Sequence, residues 1–150
     1  MGSFTQTHTT PASPDAVWAV IDDFGGIANV SRGVAHAELL NDVVGVGQER
    51  FCAFDAKGKQ WARERITERG DDHIVISIYE TNAPMKHLEG TIRVTPAGSG
   101  SQISMTMDMK VKGGPLGDLM EVALVRPNFK KAIKALLDDI GTAAQKVVVA

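Results

Sequence analysis

The chain contains a single cysteine, Cys52, among 150 residues. That excludes an internal disulfide framework and suits a reducing compartment, where a lone thiol serves as a small core hydrophobe. An excess of one charge is also missing, since 16 Lys and Arg stand against 18 Asp and Glu for a formal net charge of −2. Without a basic patch or stripe, no nucleic-acid partner is expected. No apolar run approaches the length of a membrane span, and no basic region followed by an apolar stretch opens the chain. Neither a membrane span nor a secretory leader is therefore expected, and the cytoplasm is the default compartment. His8, His36 and His73 have no metal-ligand spacing with a second histidine or cysteine, so neither a metal nor any other cofactor is expected. Gly45-Val46-Gly47 runs on to Arg50 where a dinucleotide fingerprint needs a third glycine, and P-loop and nucleophile motifs are absent.

What the chain does have is 43% hydrophobic composition, enough at this length for one domain with a sizeable core over residues 1–150. Its last third, Gly113 to Val148, reads as one long helix. At about 100° per residue, Leu119, Val122, Phe129, Ile133, Leu136, Ile140, Ala144 and Val147 fall on one stripe that should face a core. Gly113-Gly114 break the preceding element, and Pro115 suits a first helical position. Pro127 cannot bond the carbonyl of Ala123, so a kink is expected there. Before the kink, Leu116, Met120, Ala123 and Leu124 make the helix apolar nearly all round. They should cover a cavity or a partner.

Upstream, Phe4 to Thr10 reads as a strand ending at Pro11. Ser13-Pro14-Asp15 then starts a helix, with a capping hydroxyl, proline at the first position and an acid in the first turn. Val17, Trp18, Val20, Ile21 and Phe24 form its buried side before Gly25-Gly26, and a short turn covers Ile27 to Val30. Six strands follow, expected at Val34–Leu40, Gln48–Phe54, Gln60–Glu68, His73–Thr81, Leu88–Thr95 and Gln102–Val111, with clear turn signals between them. In the last, Ile103, Met105, Met107, Met109 and Val111 alternate with Ser104, Thr106, Asp108 and Lys110. One face is apolar and the other wet. An antiparallel sheet and a long amphipathic helix must close on each other, giving an α+β domain. Because sheets twist, one rod cannot touch the whole of one, and a space between them is expected.

The order and several segments resemble the helix-grip superfamily of START-related lipid-binding domains and polyketide cyclases, SRPBCC. The matching pieces are Pro14 to Phe24, Val44 to Arg50, Glu64-Arg65-Ile66, Ala83-Pro84, Gly90 to Pro96 and the terminal helix. The polyketide cyclase/dehydrase-type subgroup is the most similar. The resemblance implies a seven-stranded curved antiparallel sheet gripping the last helix, with two short helices after strand one and an apolar pocket between. It implies binding of a lipid or polyketide, or aldol cyclisation or dehydration, and fold alone does not choose.

Strand parity nominates residues for that pocket. The apolar faces place Ile78, Ile92, Met105, Met107 and Met109 inward, the methionines either shaping themselves to a ligand or filling the core. Parity carried on from Ile78 brings Glu80 to the pocket's end, with a surface rim position as the alternative. Choosing Ala62, Glu64 and Ile66 inward on the fourth strand and Arg50, Cys52 and Phe54 on the third makes Arg50 and Glu64 neighbours. Such a pair could orient a carbonyl or carboxylate, with Glu64 as a base, or be a surface ion pair of little consequence. Arg126, on the stripe beside the kink, could hold an anion or Glu64, or reach past to water. His87 is placed on a loop at the pocket mouth, as a proton shuttle or simply solvated. Met120 and Leu124 would close the pocket from the helix. The expected partner is thus a hydrophobic small molecule, bound by a monomer or homodimer. A cyclase or dehydratase using Arg50 and Glu64 is the alternative, and a protein-interaction module presenting Leu116, Met120 and Leu124 a third.

Overall fold

The computed structural model describes residues 2–147. Ser13 caps the first helix, its hydroxyl accepting the Ala16 amide at 3.2 Å, with Pro14 next to it, so α1 runs Pro14–Asp22 after strand β1 (Gly2–Thr10). A 3-10 segment, Phe24–Asn29, follows where a turn was expected at Ile27–Val30. Then come β2 (His36–Leu39), β3 (Glu49–Ala53), β4 (Trp61–Arg69), β5 (His73–Thr81), β6 (Met85–Ala97) and β7 (Gly100–Val111). The seven strands form one antiparallel sheet in the order β1-β7-β6-β5-β4-β3-β2. The α+β helix-grip architecture expected from the sequence is the observed one.

The clearest alternation in the sequence has the clearest structural result. Ile103, Met105, Met107, Met109 and Val111 are all buried on one face of β7, beside Ile92 and Val94 of β6 and Phe4 of β1. Against this face lie α1 and the last helix, α3 (Arg126–Ala144), which packs principally on β1, α1 and β7. Leu137, Ile140 and Ala144 of α3 are buried, while Phe129, Ile133 and Leu136 pack against the core only in part. A buried carboxylate, Asp139, accompanies them and is satisfied by the Arg32 amide (2.9 Å) and Nε (2.8 Å).

The long helix is not continuous. It consists of α2 (Gly114–Met120), a π turn (Glu121–Val125) and α3. Pro127 denies the Ala123 carbonyl its partner, and the chain answers with a wider turn in which the Arg126 amide bonds the Glu121 carbonyl. One extra residue per turn shifts the phase of the stripe by about 100°. That corrects the sequence reading: Leu119 and Val122 are not continuous with Phe129 and Ile133 and lie exposed, as do Leu116, Met120 and Leu124. The helix ends at Ala144, and the Val148 at which it was expected to stop lies outside the described residues.

Candidate functional site

In β3 and β4 the register decides the chemistry. Arg50 pairs directly with Glu64, and Cys52 with Ala62, with all four on the side of the sheet that also carries Ile66 and Ile76. Arg50 Nε donates to Glu64 Oε1 at 2.7 Å, and each side chain is only 11% exposed. Two further contacts hold the guanidinium: Nη1 donates to the Phe24 carbonyl at 3.0 Å, and its centre sits 3.8 Å from the Phe24 ring centroid. The 3-10 segment that carries Phe24 thus covers the pair, and its Gly25 packs close on β2, where an added Cβ would lie 2.8 Å from Leu39 Cγ. The Cys52 thiol lies 3.8 Å from the same Glu64 oxygen. Burial first, and the Glu64 charge second, push its pKa up to about 12. It is a neutral thiol, suited to donating a weak hydrogen bond and unsuited to nucleophilic attack.

The other nominated residues fall into separate groups. Met105, Met107 and Met109 lie deep in the core with Ile92, the first two occupying the dent left by Gly90. Glu80 does not point inward. A bulge between Arg63 and Glu64 leaves Tyr79 without a partner on β4, so Tyr79 and Glu80 both turn to the convex face. There Glu80 pairs with Arg63 at 3.0 Å, and the Tyr79 hydroxyl donates to Glu49 at 2.6 Å. His87 is not on a loop: β6 begins at Met85, three residues before the expected start, and His87 pairs with Lys110 on the convex side. Beyond Ser77 and Glu89 the strands β5 and β6 come apart, and a cleft of about 230 Å³ opens between them. Ile78, Glu80 and His87 all line it.

Arg126 reaches neither Glu64 nor the space beside it. Its guanidinium binds the buried carboxylate of Glu121, five residues back, which is the spacing that a π turn stacks. Met120 and Leu124 are exposed. The feature that sequence reasoning misses is Phe24: helical spacing assigns it to the buried side of the first helix, and nothing in one dimension shows its ring and carbonyl meeting a residue of β3.

Comparison with known structures agrees with this fold. A Thermus thermophilus protein, TTHA0849, superposes with a TM-score of 0.80 at 18% identity, over 96% of this chain and 97% of that one. The Zhui aromatase/cyclase of Streptomyces sp. R1128 gives 0.77 at 19% identity, over 99% and 96%. A START superfamily protein from Mycobacterium smegmatis gives 0.73 at 14% identity, over 93% and 97%. No curated protein matches the sequence. The family model described as polyketide cyclase / dehydrase and lipid transport matches residues 1–145, and the chain belongs to that family.

Proposed function

We propose that the protein binds a hydrophobic small molecule, a lipid or an aromatic polyketide-like compound, between the concave face of the sheet and the C-terminal helix. The observation that carries this reading is the Arg50–Glu64 pair. A charged pair removed from water is costly unless something polar completes its hydrogen bonding, and a well-packed apolar pair would stabilise the sheet as well or better. The pair lies on the concave face, where Glu64 stands opposite the half-buried Ile78 in the β4–β5 register and Ile66 and Ile76 are buried nearby, so apolar residues adjoin one polar anchor. Ligand sites commonly have that composition.

A second reading, a cyclase or dehydratase, is favoured by the same carboxylate. Glu64 would take a proton from an enolisable carbon while Arg50 holds the adjacent carbonyl. Native mass spectrometry of protein purified from its own host tests the first reading, which expects a co-purified apolar molecule that is released on unfolding. Protein that emerges empty, and that fails to retain any of a panel of fatty acids and aromatic polyketides, would overturn it. Glu64→Gln separates the two readings, since binding should survive it while turnover collapses.

A further inference from the structure

The helix α2 is built inside out. Gly117 faces the sheet, where an added Cβ would lie 2.3 Å from the Lys112 carbonyl oxygen, so the helix sits with its backbone against the end of β7. Glu121, at the next position on that side, is buried and paired with Arg126. The solvent side carries Leu116 and Leu119, 69% and 65% exposed, with Met120, and Val122 and Leu124 of the π turn extend the patch. Solvent-facing leucine over a buried ion pair reverses the pattern of an ordinary surface helix.

The charges around this patch are equally one-sided. The β3–β4 loop, the β5–β6 loop and the start of α2 share one rim, tied together as the Asn82 amide donates to the Lys59 carbonyl and the Lys112 amide to the Pro84 carbonyl. Among the described residues, the acids of the β3–β4 loop and of α2 are engaged, as is Glu80 at the end of β5. Asp55 accepts the amides of Lys57, Lys59 and Gln60, Glu80 pairs with Arg63, Asp118 with Lys110, and Glu121 with Arg126. Among the described residues, Lys57, Lys59, Lys86 and Lys112 are exposed and form no ion pair. The opposite rim also exposes apolar residues, Val43, Val44 and Val46, but with Asp42, Asp71 and Asp72 in its loops. In a chain with a formal charge of −2, this end brings exposed lysines without ion pairs and bare leucines together.

We propose that this end docks on an anionic bilayer surface, α2 and the π turn dipping their apolar side chains among the acyl chains while the four lysines meet lipid phosphates. No helix of the described residues is long and apolar enough to cross a membrane, so the association is peripheral and reversible. Apolar insertion and headgroup attraction act together in such binding, each weak alone. The inference does not depend on what the interior holds, because vesicles and protein alone are enough to read it.

The test is co-sedimentation with vesicles of phosphatidylcholine, with and without phosphatidylglycerol. Binding is expected on the anionic vesicles only, and it should fall steeply between about 0.1 M and about 1 M salt as the screening length contracts from roughly 10 Å to roughly 3 Å. Leu116→Asp with Leu119→Asp should lower partitioning roughly tenfold or more, as should charge reversal of Lys57, Lys59, Lys86 and Lys112. Val43→Asp with Val44→Asp at the other rim should leave it unchanged. All these side chains are exposed, and circular dichroism identifies any variant that has lost its fold. Failure to sediment, or equal sedimentation with pure phosphatidylcholine, would overturn the proposal. So would a wild-type dimer that Leu116→Asp with Leu119→Asp converts to monomer in the absence of any vesicle binding, which would assign the patch to a second copy of the chain.

Discussion

The two halves of the concave face solve different problems with the same strand geometry. On the β1-β7-β6 side the inward residues of β6 and β7 are mostly aliphatic or methionine, β1 adds Phe4 with the polar Gln6, His8 and Thr10, and α1 and α3 press directly on this surface. On the β3-β4 side the inward residues include Arg50 and Glu64, and the cover is a short 3-10 segment that offers a ring and a carbonyl. The first half is held mainly by packing, with neutral hydrogen bonds from Gln6 and Thr10 to the α3 backbone. The second keeps a charged pair that packing alone would not select.

Removing one partner of the pair should show the contrast most sharply. Glu64→Ala leaves the Arg50 charge buried with only the Phe24 carbonyl and ring for company, and a loss of about 3–5 kcal/mol is expected in urea unfolding. Replacing both, Arg50→Met with Glu64→Leu, should be close to neutral or stabilising, because neither charge is then stranded. A single-variant loss below about 1 kcal/mol would mean the pair behaves as a solvated surface bridge, and the contrast between the halves would go. In the packed half, Leu137→Ala removes a fully buried side chain of α3 and should cost about 2–5 kcal/mol, through lost transfer energy and the cavity left behind.

Legibility in the sequence follows the same division. Period-two alternation in β7 and the Ser13-Pro14 start of α1 are readable because one local rule governs each, and nothing tertiary opposes it. The Arg50–Glu64 pairing is readable too, since matching the apolar parities of β3 and β4 sets both side chains on one face. Glu80 is misplaced by parity because a bulge adds one residue, and a period of two carries no memory across it. Leu119 and Val122 are misplaced because the π turn resets the helical phase at Pro127, where the proline announces a kink but not its register. Phe24 over Arg50 joins residues 26 apart through two turns, a contact that no periodicity encodes.

The seam between the halves offers a smaller test. Gly90 lies between Ile76 and Met107 in the sheet, and a Cβ there would come within 2.7 Å of the Met105 methyl and 3.1 Å of the Met107 sulfur. Gly90→Ala should therefore cost about 1–3 kcal/mol, towards the lower end because thioether ends can swing aside. A stabilised variant, as a strand favouring alanine over glycine would give in open space, would show that the methionines are not filling that dent.

The smallest effect is expected outside both halves, on the convex face. His73 stands between Asp72, 3.0 Å from Nδ1, and Glu68, with Asp72 the stronger influence; together they raise its pKa above the ordinary value. A group whose pKa is raised on folding binds its proton more tightly in the native state, so its contribution is complete below the unfolded pKa of about 6.5 and disappears as pH rises through the folded value. The melting temperatures of wild type and His73→Gln should therefore differ most at mildly acid pH and converge as the solution becomes alkaline. The gap between wild type and Leu137→Ala should stay constant over the same range, because no titrating group touches that loss. Parallel curves for His73→Gln would show that its carboxylate neighbours do not act on it, and that convex-face charges contribute nothing a proton can report.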